Sequence, residues 1–202
     1  MAGFLGACDA DVPSTNIESN SSVQASPLVT PTELINSAAP VAPIAPVVAT
    51  EPGWVDDQRI INLPISEPGS WPTYGQTYKE QRFSQLTQIT PENIDELGLA
   101  WSRQIGDYNM RMQGTPLVVD GVMYVTNGWS VVYALDATTG EEIWHYDPEV
   151  DRSYIRLACC GPAHNRGAAV YKGKVYVGTF DGRLVAIDAT TGEEVWDVDT
   201  WI

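Results

Sequence analysis

The sequence predicts an all-β protein with the architecture of a β-propeller, and two observations lead to this fold class. The strand-like segments that follow residue 115 are short, and turns containing Gly separate them. A unit of four such segments occurs twice, with its Asp at Asp136 and again 52 positions later at Asp188. A repeat of this length with four strands per unit is typical of propeller blades.

Composition narrows the functional classes. The 202 residues suffice for one domain with a sizeable core, and no apolar run approaches the roughly 18 residues of a membrane span. The formal net charge is −15, and every Lys and Arg lies at Arg59 or later. Phosphate binding requires Lys and Arg, so we expect no nucleic-acid partner. The three cysteines do not form the pattern of a disulfide framework.

The first 50 residues predict a disordered, lipoprotein-like tail. Leu5-Gly6-Ala7-Cys8 resembles a bacterial lipobox, which would make Cys8 a lipidation site, but no basic or apolar stretch precedes it. Either the true start lies upstream, or Cys8 stands in the tail by chance. Residues 9–50 are rich in Ser, Pro and Ala and lack a periodic apolar pattern. We therefore assign residues 1–50 to a tail and linker and 51–202 to the folded part.

Two elements are predicted ahead of the repeat. Thr90 is suited to cap a helix whose first residue is Pro91, and this helix should end by Gly98. Leu99–Ser102 is then predicted to return to a strand.

Each repeat predicts one four-stranded blade. Asp120-Gly121 and Asn127-Gly128 are dipeptides that favour two-residue hairpin turns. The signature Ala-x-Asp-x-x-Thr-Gly-x-x-x-Trp ends at Trp144 and again at Trp196. Its Asp and Thr are expected to bond turn amides, its Gly to adopt the left-handed conformation, and its Trp to pack against the next blade.

The candidate site follows from the repeat. Loops that enter the innermost strands of a propeller converge on its axis, and those strands are predicted to begin near Pro116 and Ala168. Gln113 and Arg166 lie just before them, and the long linker that ends at His164 contains Cys159 and Cys160.

Several alternatives remain for these residues. Cys159 and Cys160 would form either a strained ring that offers a flat apolar platform, as an exported protein allows, or two buried free thiols. Arg166 would contact a carboxylate or quinone oxygen, or form a salt bridge between blades. His164 is interpreted as a loop residue, because no second ligand stands at metal-binding spacing.

These residues resemble those of a known family, the pyrroloquinoline quinone (PQQ)-dependent alcohol dehydrogenases. The matching motifs are Trp71-x-x-Tyr74-Gly75 with Arg82-x-Ser84, Gly98–Trp101, Thr115–Val119, Cys159-Cys160 with Asn165-Arg166-Gly167, and both tryptophan repeats. The resemblance implies an eight-bladed propeller of tryptophan-docking repeats that holds PQQ and a calcium or lanthanide ion. It further implies that the alcohol gives a hydride to PQQ and that electrons pass to a cytochrome c in the periplasm. Cys159 and Cys160 would form a vicinal disulfide stacked on PQQ, and Gln113 and Arg166 would contact it.

The chain also departs from the family pattern. Gln113 stands where the family often has a glutamate, and the Cys-to-Arg interval varies among family members. The resemblance places the catalytic base and the metal ligands beyond Ile202, so no residue here is assigned to either role. We expect about two blades plus an entry segment, a partial propeller that alone neither turns over alcohol nor stays soluble.

Two other readings stay open. One is a non-catalytic propeller lipoprotein that resembles the scaffold subunit of the outer-membrane barrel-assembly machinery, anchored through Cys8. The Cys159-Cys160 and Asn165-Arg166-Gly167 segment argues against it together with the entry residues Trp71, Tyr74 and Arg82, since a scaffold has no reason to keep them. The other is a gene remnant without function.

Overall fold

The computed structural model describes residues 52–106, 111–157 and 163–201. The described part contains one α-helix, two 3-10 helices and ten strands, and none of its helices is long and apolar enough to cross a membrane. Helix α1 is Asp57–Ser66, and the 3-10 helices are Ile94–Glu96 and Arg152–Leu157. The predicted tail lies outside the described residues, so the boundary after residue 50 stays a prediction.

Two antiparallel four-stranded sheets confirm the predicted pair of blades. In each sheet the strands follow one another in chain order, and the pairs of the second sheet repeat those of the first with the predicted offset of 52. A separate two-stranded parallel ladder joins β1 to β6. The strands are β1 Arg111–Met112, β2 Leu117–Val119, β3 Val122–Thr126, β4 Val132–Asp136, β5 Glu142–Tyr146, β6 His164–Asn165, β7 Ala169–Tyr171, β8 Lys174–Gly178, β9 Arg183–Asp188 and β10 Glu194–Asp199.

The core lies within and between these two sheets. Alternate side chains of the inner and middle strands are buried there, and residues from the segment before the first blade join them. The cluster includes Val55, Ile60, Leu117, Val119, Tyr124, Val132, Ala134, Trp144, Val170, Val175, Val177, Val185 and Ile187.

One predicted hairpin turn is confirmed and the other is wrong. Asp120 and Gly121 join β2 to β3 with φ of 53° and 78°, as a two-residue turn with two left-handed positions requires. Asn127-Gly128 instead belongs to a five-residue connection in which Ser130 takes the positive φ, 66°. The Asn127 carboxamide oxygen accepts from the amides of Trp129 and Val131 at 3.0 and 3.2 Å and so holds a wider loop.

The turn chemistry of the repeat signature is also confirmed. Asp136 Oδ1 accepts from the amides of Thr138 and Thr139 at 2.8 and 2.9 Å, and Asp188 accepts from the two equivalent amides. Gly140 follows with φ of 73°, and Gly192 with 77°. These hydrogen bonds hold the pKa of Asp136 at about 2, the largest contribution being that of the Thr138 hydroxyl.

Trp144 docks on the second blade, as the signature predicts. Its indole Nε1 donates to the carbonyl of Ala189 at 3.2 Å, and Tyr124 Oη donates to the same oxygen at 3.0 Å. A Cβ added to Gly192 would lie 2.7 Å from the Trp144 ring. The glycine is therefore required both by its backbone conformation and by the contact it makes.

Helix α1 was not predicted. Asp56 caps it by accepting from the amide of Arg59 at 2.8 Å, and Arg59 is only 3% exposed. The Arg59 guanidinium bonds Glu67 at 2.7 Å and Asp120, and it also donates to the carbonyl of Trp54 at 2.5 Å. Burial alone lowers the pKa of Arg59, but the hydrogen bonds to the two carboxylates outweigh burial and raise it, so the side chain stays charged. The arginine thereby ties the helix to the first turn of the first blade.

The entry segment differs from its prediction in two places. The carbonyl of Thr90 accepts from the amides of Asn93 and Ile94, and a short helix ends before Gly98 as predicted, but it is the 3-10 turn Ile94–Glu96 and begins at Ile94 rather than at Pro91. Leu99–Ser102 pairs with no strand of the described part, so the strand predicted there is wrong. Trp101 is nevertheless held, since its Nε1 donates to the carbonyl of Ala137 at 3.2 Å.

Candidate cofactor site

The segments that enter the inner strands of the two blades lie side by side. Strands β1 and β6 pair in parallel, with Arg111 opposite His164 and Met112 opposite Asn165. The amide of Gln113 then donates to the carbonyl of Asn165 at 3.3 Å. The repeat therefore brings the two segments that carry Gln113 and Arg166 to one place, as the sequence predicts.

Two glycines allow this close approach. A Cβ added to Gly114 would lie 2.8 Å from the Cα of Gly167, which no side chain tolerates. Gly167 itself has φ of 115°, a conformation that L-residues rarely adopt. The backbone on either side of Arg166 is consequently packed against the neighbouring segment.

A buried amide fixes the second segment to both blades. Asn165 is 9% exposed, and its Oδ1 accepts from the Thr126 hydroxyl at 2.9 Å and from the amide of Gly167 at 2.8 Å. Its Nδ2 donates to Ser130 Oγ at 3.2 Å and to the carbonyl of Gly178 at 3.0 Å. Thr126 and Gly178 are the equivalent last residues of β3 and β8, so one side chain joins both sheets at the same end.

The predicted cofactor contacts present their side chains to solvent. Gln113 and Arg166 are both exposed, and neither side chain forms a hydrogen bond or ion pair with another described residue. The alternative reading of Arg166 as an inter-blade salt bridge therefore finds no partner within the described ranges. A guanidinium and a carboxamide that emerge from adjacent segments suit a planar group rich in carboxylate and carbonyl oxygens.

The remaining predicted residues are placed as follows. Cys8, Cys159 and Cys160 lie outside the described residues, so the vicinal disulfide and the lipidation site stay predictions. His164 was predicted in a loop but is half-buried in strand β6, because Arg111 offers it a parallel partner. Among residues 52–106, 111–157 and 163–201, no group of three His, Cys, Asp or Glu side chains is arranged to hold a metal ion.

The structure adds an aromatic cluster that sequence reasoning missed. The rings of Trp129 and Phe180 meet edge to face, with centroids 5.4 Å apart, and the Arg152 guanidinium lies 4.4 Å from the Trp129 ring centre. These aromatics come from the β3–β4 and β8–β9 turns, at the end of the sheets where Asn165 lies. Their positions 129 and 180 are not equivalent in the repeat, so the repeat pattern could not identify the pair.

A groove of about 330 Å³ lies away from this site. Helix α1 and residues 75–85 form it, and Gln113 and Arg166 take no part in its lining. The groove therefore lends no support to the predicted cofactor contacts.

The comparisons with known proteins identify a family. Residues 71–199 match the PQQ family described as "Glucose/ethanol/alcohol dehydrogenase, beta-propeller domain". The chain is 54% identical over 156 residues to the quinohemoprotein alcohol dehydrogenase ADH-IIG of Pseudomonas putida, covering 77% of this chain and 21% of the relative. It is also 54% identical over 134 residues to the 1-butanol dehydrogenase (cytochrome c) of Thauera butanivorans, covering 66% of this chain and 19% of that protein.

Solved structures agree with these matches. The ADHIIG structure from P. putida HK5 superimposes with a TM-score of 0.70 and 56% identity, covering 74% of this chain and 22% of that one. A europium-containing methanol dehydrogenase gives a TM-score of 0.58 and 35% identity over 70% of this chain and 25% of that one. The chain thus spans about a fifth of the length of the relatives. Because the family match covers more than half of the chain, this chain belongs to the PQQ-dependent alcohol dehydrogenase family.

Proposed function

We propose that this chain is the PQQ-side portion of an enzyme that oxidises alcohols and passes the electrons to a cytochrome c. The proposal depends on one observation above all: the exposed side chains of Gln113 and Arg166 emerge from two adjacent segments at the entrance of the inner strands. Membership in the PQQ family supports the choice of cofactor. The name of the Thauera relative supports the choice of acceptor.

When bound, PQQ supplies the acceptor for the hydride that leaves the alcohol carbon, so the alcohol becomes an aldehyde or ketone. Arg166 is proposed to hold an anionic or quinone oxygen of PQQ with its guanidinium. Gln113 is proposed to donate a hydrogen bond from its carboxamide without adding charge. Cys159 and Cys160 are proposed to stack on the flat face as a vicinal disulfide, which would require the oxidising conditions of the periplasm.

A calcium or lanthanide ion belongs to the proposal as a Lewis acid that polarises the quinone carbonyl. The europium of the methanol dehydrogenase structure concerns that protein and only motivates the choice here. The described residues offer no suitable set of ligands, so no metal ligand is assigned.

The test uses the protein expressed from its own gene at its full encoded length, reconstituted with PQQ and calcium. We expect dye reduction that depends on a primary alcohol, and a loss of PQQ affinity of about 10- to 100-fold in Arg166→Ala, as the loss of a charge-assisted hydrogen bond implies.

Arg103→Ala is the matched control, because Arg103 contacts the β4–β5 turn at the opposite end of the first blade. If the full-length protein takes up no PQQ and oxidises no alcohol, the proposal is wrong and the scaffold hypothesis gains support. The 202-residue chain alone is expected to be inactive and poorly soluble, which purification at this length would check.

A further inference from the structure

The Asn165 side chain uses its whole hydrogen-bonding capacity. A carboxamide offers two donors and two acceptor lone pairs. In this protein both lone pairs accept, from Thr126 and Gly167, and both hydrogens donate, to Ser130 and the carbonyl of Gly178. The orientation of the amide is fixed, because the Gly167 N–H can only donate and the Gly178 carbonyl can only accept.

These bonds immobilise the residues on both sides of Arg166. The Asn165 carbonyl receives the amide of Gln113, and its carboxamide receives the amide of Gly167. Gly167 is also pressed against Gly114. Arg166 therefore sits on a backbone held at both neighbours, while its own side chain is exposed and forms no hydrogen bond or ion pair with the described residues.

We propose that Asn165 is the positioning residue of the cofactor site, which sets where the Arg166 guanidinium points. This inference rests on the proposed function, in which Arg166 binds an anionic oxygen of PQQ, and it says which residue positions Arg166 for that contact. Because the backbone at Arg166 is already placed, only its side chain has to be ordered when it binds, so preorganisation raises affinity without a new contact.

The bonds also define which residues can replace Asn165. Aspartate has the same shape but no N–H, so it would face the Gly178 carbonyl with a charged oxygen. Removal of the Thr126 hydroxyl would cost only one of the four bonds. The expected order of damage is therefore Asn165→Asp, then Thr126→Val, with Thr126→Ser close to the unaltered protein.

Asn127 provides a matched control. It is another buried asparagine, 2% exposed, that holds the β3–β4 turn through Trp129 and Val131. Its side chain makes no hydrogen bond with Asn165, Arg166 or Gly167 among the described residues, but its carbonyl accepts from the amide of Ser130, whose hydroxyl is one of the four partners of Asn165. Asn127→Ala should lower the unfolding temperature while it weakens PQQ binding by no more than about threefold, the effect expected when one of the four Asn165 bonds is lost.

The experiment is a double-mutant cycle on the full-length protein, with PQQ titrated into the apoprotein and followed by tryptophan fluorescence. We expect Asn165→Asp to weaken PQQ binding about tenfold in the unaltered background and less than about twofold in the Arg166→Ala background. Thr126→Val should weaken it about threefold, which keeps the test usable if the aspartate variant does not fold.

The outcomes separate the two proposals. If the unaltered protein binds no PQQ, or Arg166→Ala binds it as well as before, the proposed function fails. If Arg166→Ala weakens binding but Asn165→Asp has the same effect in both backgrounds, or Asn127→Ala has as large an effect as Asn165→Asp, the positioning role is refuted.

Discussion

The contact of Trp144 with Gly192 is expected to be the main link between the two blades, and Gly192→Ala tests this. Trp144 is 9% exposed, and a Cβ on Gly192 would lie 2.7 Å from its ring. Gly121 provides a matched control, because its φ of 78° is nearly the 77° of Gly192 while nothing lies within 4 Å of an added Cβ. Both variants suffer from the backbone conformation, and only Gly192→Ala also displaces a tryptophan.

The expected magnitudes follow from these two contributions. An L-residue in the left-handed region costs about 1–2 kcal/mol, which is the whole effect expected for Gly121→Ala. In Gly192→Ala the indole must move, which weakens its hydrogen bond to Ala189, a loss of about 1 kcal/mol. It also loses part of the packing that a complete Trp truncation would remove at about 3–5 kcal/mol. We therefore expect Gly192→Ala to cost about 2–3 kcal/mol more than Gly121→Ala.

Hydrogen exchange measured by mass spectrometry on the full-length protein would check this difference. A tenfold change in exchange rate corresponds to about 1.4 kcal/mol, so a difference of about 2–3 kcal/mol corresponds to about 30- to 150-fold. Peptides from β5 and β9–β10 should exchange faster by this factor in Gly192→Ala, in excess of the acceleration that Gly121→Ala causes in the β2–β3 hairpin. The acceleration should reach β5, which lies in the other sheet and carries Trp144. An effect confined to the β9–β10 turn, or one no larger than in the control, would refute the docking of Trp144 as the link between the blades.

Three further outcomes are expected. Arg59→Met leaves two partly buried carboxylates without their cation and should lower the free energy of unfolding by about 2–4 kcal/mol. Arg103→Met breaks a half-exposed ion pair and should lower it by less than about 1 kcal/mol. Equal losses in thermal unfolding would contradict the role of Arg59 in holding helix α1. The pKa of Asp136 is lowered to about 2, so its stabilising effect is complete above the ordinary aspartate value of 3.8 and is lost as the pH falls from there to about 2. Asp136→Asn should lack this acid-dependent loss when unfolding is measured against pH, and an unchanged acid profile would contradict it. Trp101→Ala should cost about 1–3 kcal/mol in thermal unfolding, because the indole loses its hydrogen bond to Ala137 and its packing on Gly140, and unaltered unfolding would show that this contact does not stabilise the first blade.

The blades were predictable because their signals are local. The Asp, Thr and Gly of each signature bond amides two or three residues away, so the residue types alone identify the turn. The same logic failed for Asn127-Gly128, where the asparagine side chain bonds the loop backbone and moves the left-handed position to Ser130. The rule that Asn-Gly forms a two-residue turn does not take account of that competing side-chain hydrogen bond.

Long-range contacts account for what the sequence did not reveal. Helix α1 depends on Arg59, which binds Asp120, 61 residues away, and no sequence pattern near Arg59 predicts this ion pair. The site shows the same division. Repeat arithmetic brought Gln113 and Arg166 together, but the role of Asn165 depends on partners 39, 35 and 13 residues away.

The tryptophan contacts show that docking can identify a blade position where strand pairing does not. Trp144 bonds the carbonyl of Ala189 and covers Gly192. Trp101 bonds the carbonyl of Ala137, and a Cβ on Gly140 would clash with its ring. These two targets are the equivalents of Ala189 and Gly192 in the preceding blade. The docking surface repeats with the same 52-residue period. Trp101 therefore packs on the first blade in the same way as Trp144 packs on the second. The prediction of a strand at Leu99–Ser102 was wrong, because this segment pairs with no described strand. Its Trp101 nevertheless makes the contact that the outermost strand of a blade makes with the next blade.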